Sequence, residues 1–136
     1  MLNRKLRLGF LGILLSAVVV MALSAACSGG GDSGSNQASA SQEGEALFNK
    51  TCSVCHGAGA VGTQAGPPLV HELYRPGHHP DISFRNAVKN GVISHHWEFG
   101  HMPAQPGVSD QDIEKIICYV RELQIAGGIY EGEAPC

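Results

Sequence analysis

The residues best suited to chemistry in this chain stand together as Cys52-Ser53-Val54-Cys55-His56. Two thiols three positions apart on a helical turn point the same way, and an imidazole follows directly. That order, C-x-x-C-H, is the spacing of a c-type haem attachment site. Each thiol adds to one of the two vinyl groups along one porphyrin edge, and the histidine is carried beneath the ring to meet the iron. A zinc site would need a second ligand pair at suitable spacing, which Cys118 and Cys136 do not supply. A thioredoxin-like redox pair would need a βαβ pattern around it, and none is visible.

An iron held by His56 has a second axial position to fill. The chain has three methionines; Met1 and Met21 fall in an apolar N-terminal stretch, which leaves Met102 as the one thioether beyond it. Met102 stands before Pro103, in a loop ahead of the last predicted helix. It is the expected sixth ligand, and a His/Met pair raises the reduction potential. The competitors are His71, His78, His79, His95, His96 and His101, the last three being nearest to Met102 in sequence. Most of them are expected at solvent or in loop hydrogen bonds, although such a His-rich segment also suits weak copper or zinc binding. With both axial positions filled, the iron offers no open site to a substrate. No paired acids or nucleophile–base arrangement accompanies the motif. The expected work is single-electron transfer through an exposed haem edge: a carrier rather than an enzyme, with redox proteins and not small molecules as partners.

Three elements must position these groups. Before the motif, Leu47, Phe48, Thr51 and Cys52 share a helical face with Gly44. A helical glycine costs about 1 kcal/mol relative to alanine, and close approach of another helix is a reason to accept that. The partner is the last predicted helix, with Ser109 as N-cap, Asp110 and Asp112 in its first turn, and Ile113, Ile116, Ile117, Val120 and Leu123 at helical spacing. Gly127-Gly128 ends it. Ser83 to Asn90 reads as a shorter helix closed by Gly91.

The N-terminal part has a different character. Arg4, Lys5 and Arg7 precede an apolar run from Leu8 to Leu23, and Ser24-Ala25-Ala26 leads to Cys27. That is the layout of an export signal, and the run is short for a membrane span of about 20 residues. Small residues before Cys27 resemble a bacterial lipoprotein processing site, although Ser24 stands where that pattern prefers leucine. Ordinary cleavage after Ala26 also fits, as does an uncleaved anchor. All three place the rest of the chain outside the cytoplasm, at the outer face of a membrane or in the periplasm. Residues 27–41 are expected to be the attachment cysteine and a flexible linker, with the domain spanning 42–136. Beyond residue 26 the chain keeps six of its nine Lys and Arg and all twelve Asp and Glu, a net −6. Without a basic stripe, nucleic acid is excluded as a partner. Of five cysteines, Cys118 and Cys136 remain as an even pair in an oxidising compartment, and a disulfide is expected; the alternative is two separate thiols.

Taken in order, Gly44 and Phe48, the Cys52–His56 motif, Gly66-Pro67-Pro68-Leu69, Met102-Pro103, and a final helix with Ile116 and Tyr119 resemble a class I c-type cytochrome of the small monohaem bacterial kind. The likeness runs from about Gln42 to Gln124. It implies an all-α cytochrome c fold, with three main helices around one covalent haem c and the first and last helices crossing. It also implies that the Pro67 carbonyl accepts the His56 Nδ1 proton and that Leu69 forms an apolar wall of the pocket. Trp97 either hydrogen-bonds a haem propionate or packs on the haem edge. The stretch from Ile93 to His101 is longer and more aromatic than that family leads one to expect. Two other roles fit the same residues: the haem subunit of a larger redox enzyme, or a sensor in which Met102 detaches.

Overall fold

The computed structural model describes residues 33–136. The expected export signal, Cys27 and the first part of the linker lie outside the described residues. Four helices follow in order: α1 (Ser33–Thr51), α2 (Ser53–His56), α3 (Asp81–Asn90) and α4 (Asp110–Ala126), with 3₁₀ turns at Ala58–Ala60 and Glu72–Tyr74. The all-α expectation holds, with three main helices and short turns between them. Among the described residues the only β pairing is an isolated antiparallel bridge between Val92 and Met102. No described helix is long and apolar enough to cross a membrane.

α1 departs from the expected boundary. It begins at Ser33 rather than near Gln42, so the later part of the presumed linker is helical. Its Ser, Ala, Asn and Gln residues carry no apolar periodicity, which is why composition alone reads as a tether. Tertiary contact overrides this: Ser41 is buried, and its hydroxyl donates to the Glu122 carboxylate on α4.

α1 packs across α4. Phe48, Ile116, Tyr119 and Val120 form the core there with Ala60, and the Phe48 and Tyr119 rings meet at 5.6 Å. Gly44 sits at the crossing. A Cβ built on it would lie 2.0 Å from the Lys115 carbonyl oxygen and 3.0 Å from Tyr119 Cβ. The obstacle is helix backbone, which cannot swing aside as a side chain does. Gly44→Ala is therefore expected to destabilise the domain by about 2 kcal/mol, even though alanine gains about 1 kcal/mol in helix propensity. A lower denaturant midpoint at unchanged slope would confirm it; an unchanged midpoint would mean that the helices part freely.

α3 packs on α4 through Val88, Ile113 and Ile117. α4 starts as its sequence implies: the Asp112 amide donates to Ser109 Oγ at 3.2 Å, and Gly127 follows its last residue. The tail returns over α4 through a Cys118–Cys136 disulfide that closes 18 residues. A loop of that size contributes roughly 3 kcal/mol in the chain-entropy account.

One polar group lies in the middle of this packing. Arg121 on α4 is 1 % exposed. Its guanidinium donates to the Tyr74 carbonyl (2.7 Å), the His79 carbonyl (2.6 Å), Asp81 Oδ1 (2.8 Å) and Gln124 Oε1 (2.6 Å). It also lies 4.7 Å from the centroid of the Phe84 ring. Gln124, fully buried, donates to the Leu69 carbonyl at 2.7 Å. These two side chains fasten the long irregular segment between residues 69 and 81 to α4.

Candidate functional site

The motif forms because α1 runs out directly before it. The Cys52 amide still bonds the Phe48 carbonyl at 2.7 Å, and the His56 amide bonds the Cys52 carbonyl at 2.9 Å. Cys52 and the single turn of α2 that it caps therefore carry both thiols and the imidazole. The carbonyls left at its end are satisfied by the next loop: the Gly62 amide donates to the His56 carbonyl at 2.6 Å, and Thr63 Oγ1 donates to the Cys55 carbonyl at 2.5 Å. Burial, reinforced by neighbouring Cys55, pushes the Cys52 thiol up to about 11.

His56 Nδ1 lies 2.9 Å from the Pro67 carbonyl oxygen. A carbonyl only accepts, so Nδ1 carries the proton and Nε2 keeps its lone pair. Burial lowers the His56 pKa, with the Pro67 carbonyl acting in the opposite sense. The neutral imidazole, the form that ligates a metal, is favoured.

Three cavities all include His56 and Met102 in their walls. Cys55 joins the second, and Cys52 with Cys55 the third. Pro67, Val92, Trp97 and Phe99 make the first largely apolar. Met102 is brought there by backbone pairing: its amide and carbonyl exchange hydrogen bonds with Val92 at 3.0 and 2.9 Å. Gly91 makes that pairing possible. Its φ of +75° turns the chain out of α3, and a Cβ there would lie 2.5 Å from the Met102 carbonyl oxygen. The bridge closes residues 93–101 into a loop whose two ends meet beside the cavities.

The remaining expected residues fall as follows. Trp97 walls the first cavity, but its indole N–H donates to the Tyr74 hydroxyl at 3.1 Å, and its ring meets His71 edge-on at 5.2 Å. Leu69 is not among the walls of these three cavities. It packs against the Phe48–Tyr119 core, held there by its amide on the Ala60 carbonyl (2.8 Å) and its carbonyl on Gln124. His95 and His96 line the first cavity and His101 the second. His101 Nδ1 accepts from the Ser94 amide at 3.0 Å and His71 Nδ1 from the Leu73 amide at 3.2 Å. In their neutral forms both therefore carry a proton on Nε2 and lack a lone pair there. Tyr74, Arg121 and Gln124 had no signal in the sequence. They act from behind the site, Arg121 holding the Tyr74 backbone and Tyr74 receiving the Trp97 N–H.

Two thiols on one turn, an oriented neutral imidazole and an apolar space walled by His56 and Met102 are a donor set suited to a covalently held haem. Fold and site together define a c-type cytochrome. The family model described as cytochrome c oxidase, cbb3-type, subunit III matches residues 39–120, and the chain belongs to this family. Comparison with curated proteins and with solved structures returned no match. The protein is thus a haem-binding electron-transfer protein whose cofactor is covalently bound haem c.

Proposed function

We propose that the protein moves single electrons between redox partners outside the cytoplasm, with His56 and Met102 as the two axial ligands and Cys52 and Cys55 as the thioether attachment points. Haem iron supplies the one-electron couple; the chain supplies its setting. The Pro67 carbonyl fixes which His56 nitrogen faces the iron and makes it a stronger donor. The apolar walls raise the cost of the extra charge on the oxidised centre, and a thioether ligand acts in the same direction. The observation that carries this reading is that His56 and Met102 wall the same three cavities beside the two thiols. Each histidine competitor found in these walls joins only one of the three.

The N-terminal signal and Cys27 support a site of action at the outer face of a membrane, held by a lipid or an uncleaved anchor, or free in the periplasm. The family description favours a second reading, a haem subunit fixed within a larger oxidase. A reduced-minus-oxidised spectrum of the exported protein, with its haem-to-protein ratio, tests the proposal. One low-spin haem c per chain is expected, with no carbon monoxide binding in the reduced native state. Carbon monoxide binding would instead indicate a sensor with a labile ligand. Purification only together with oxidase subunits would replace the free carrier with the fixed subunit.

A further inference from the structure

The histidines left over by the haem site are not scattered. His78 and His79 precede α3, and His95 and His96 lie in the loop of residues 93–101; the fold stacks the two pairs against each other. We propose that His78, His79 and His96 form a second metal site, for a late first-row divalent cation of the Zn²⁺ or Cu²⁺ kind. It is separate from the haem iron and rests on the reading that Met102, not His96, is the second axial ligand.

The geometry fits such an ion. One ring nitrogen from each of the three histidines lies within 4.8 Å of the others. His78 Nε2 and His96 Nε2 are 3.2 Å apart. A tetrahedral ion with bonds of about 2.0–2.1 Å sets its ligand atoms about 3.3 Å apart, so little movement is required of this pair. His79 Nδ1 donates to the Leu73 carbonyl at 2.5 Å, which leaves Nε2 with its lone pair. A backbone carbonyl behind the ring is the usual support of a metal-binding histidine. His95 is held in the same way, with Nδ1 on the Ile93 carbonyl at 2.9 Å. Its ring centroid lies 4.3 Å from that of His96, which adds a fourth imidazole at the rim.

The ligand chemistry selects the class of ion. Among the described residues no carboxylate joins the three ring nitrogens, and the Arg121 guanidinium donates to the His79 carbonyl at 2.6 Å. Hard cations such as Mg²⁺ and Ca²⁺ require oxygen ligands, whereas neutral imidazole suits Zn²⁺, Cu²⁺ and Ni²⁺. Access is open, because His78, His79 and His95 line a surface cleft. His95 and His96 also wall the cavity that contains His56 and Met102. An ion at this site would join the segment leading into α3 to the loop that ends at Met102.

Calorimetric titration of the haem-loaded full-length chain with ZnCl₂, CuCl₂ and MgCl₂ tests the proposal. One Zn²⁺ or Cu²⁺ per haem is expected, at micromolar or tighter affinity, and no Mg²⁺ binding. His78→Gln and His96→Gln should each weaken Zn²⁺ binding at least about tenfold, and His101→Gln should leave it unchanged. An unaltered haem spectrum in each variant shows that the fold has survived. For a variant that loses its haem, the milder His79→Asn is read instead, with the same tenfold loss expected. Absence of Zn²⁺ and Cu²⁺ binding at micromolar concentrations, or binding that persists in the His78→Gln/His96→Gln double variant, overturns the site.

Discussion

Met102→Ala is expected to abolish the sulfur-to-iron charge-transfer band, to open the reduced haem to carbon monoxide, and to lower the midpoint potential. The drop should be on the order of 0.1 V, a fraction of the roughly 0.8 V that axial ligation spans across haem proteins. A thioether is a weak donor that favours ferrous iron, so its loss favours the ferric state. The substitution removes only the side chain. The Met102 backbone stays paired with Val92 on both its amide and its carbonyl, so the loop closure is retained and the effect reports on the ligand. A variant that keeps both the band and the potential would exclude Met102 as the ligand. His95 and His96 would then be the next residues to replace, since both share the first cavity with His56.

Arg121→Ala should be the most damaging substitution away from the Cys52–His56 motif, costing about 3 kcal/mol of stability in denaturant titration of the haem-loaded protein. The guanidinium serves four acceptors in an almost fully buried position. Removing it leaves the Tyr74 and His79 carbonyls without that donor and opens a cavity beside Phe84. Deleting one member of a buried ionic group costs about 3–5 kcal/mol. The lower end applies because the Asp81 side chain is 30 % exposed and water can take over its hydrogen bonds. The same variant should also loosen Trp97, whose N–H rests on the Tyr74 hydroxyl. A loss under about 1 kcal/mol would mean that other contacts hold the segment between residues 69 and 81. Arg121→Lys should recover little, because one ammonium cannot span the acceptors that a planar fork reaches.

Legibility from sequence followed the range of each interaction. The C-x-x-C-H motif was legible because three residues on one helical turn need nothing else to come together. α4 was legible from Ser109 to Gly127 because a cap, an apolar stripe and a glycine stop are local signals. Gly44 was legible as a close approach, and the 2.0 Å Cβ-to-carbonyl distance gives the physical reason for a glycine there. The start of α1 was not, since nothing in Ser33 to Ser41 announces that Glu122, far along the chain, receives the Ser41 hydroxyl. Arg121 was not legible because a charged residue on a helix is ordinarily solvated, and two of its four acceptors are backbone carbonyls, which residue identity does not encode.

Cys52, Cys55 and His56 are the part of the candidate site that sequence by itself brings together, because their spacing places them on one turn. The same holds for α4, whose cap, apolar stripe and stop are written within a few residues of one another. The tertiary structure decided what surrounds that turn. It placed Met102 beside His56 through a backbone bridge to Val92, turned Leu69 toward the Phe48 core, and gave the Trp97 N–H to Tyr74. It also gathered His78 and His79 with His96 into one cluster. Each of these joins residues that are not neighbours in sequence, and the placements of Leu69, Tyr74 and His79 rest on the hydrogen bonds that Arg121 and Gln124 of α4 make to their carbonyls.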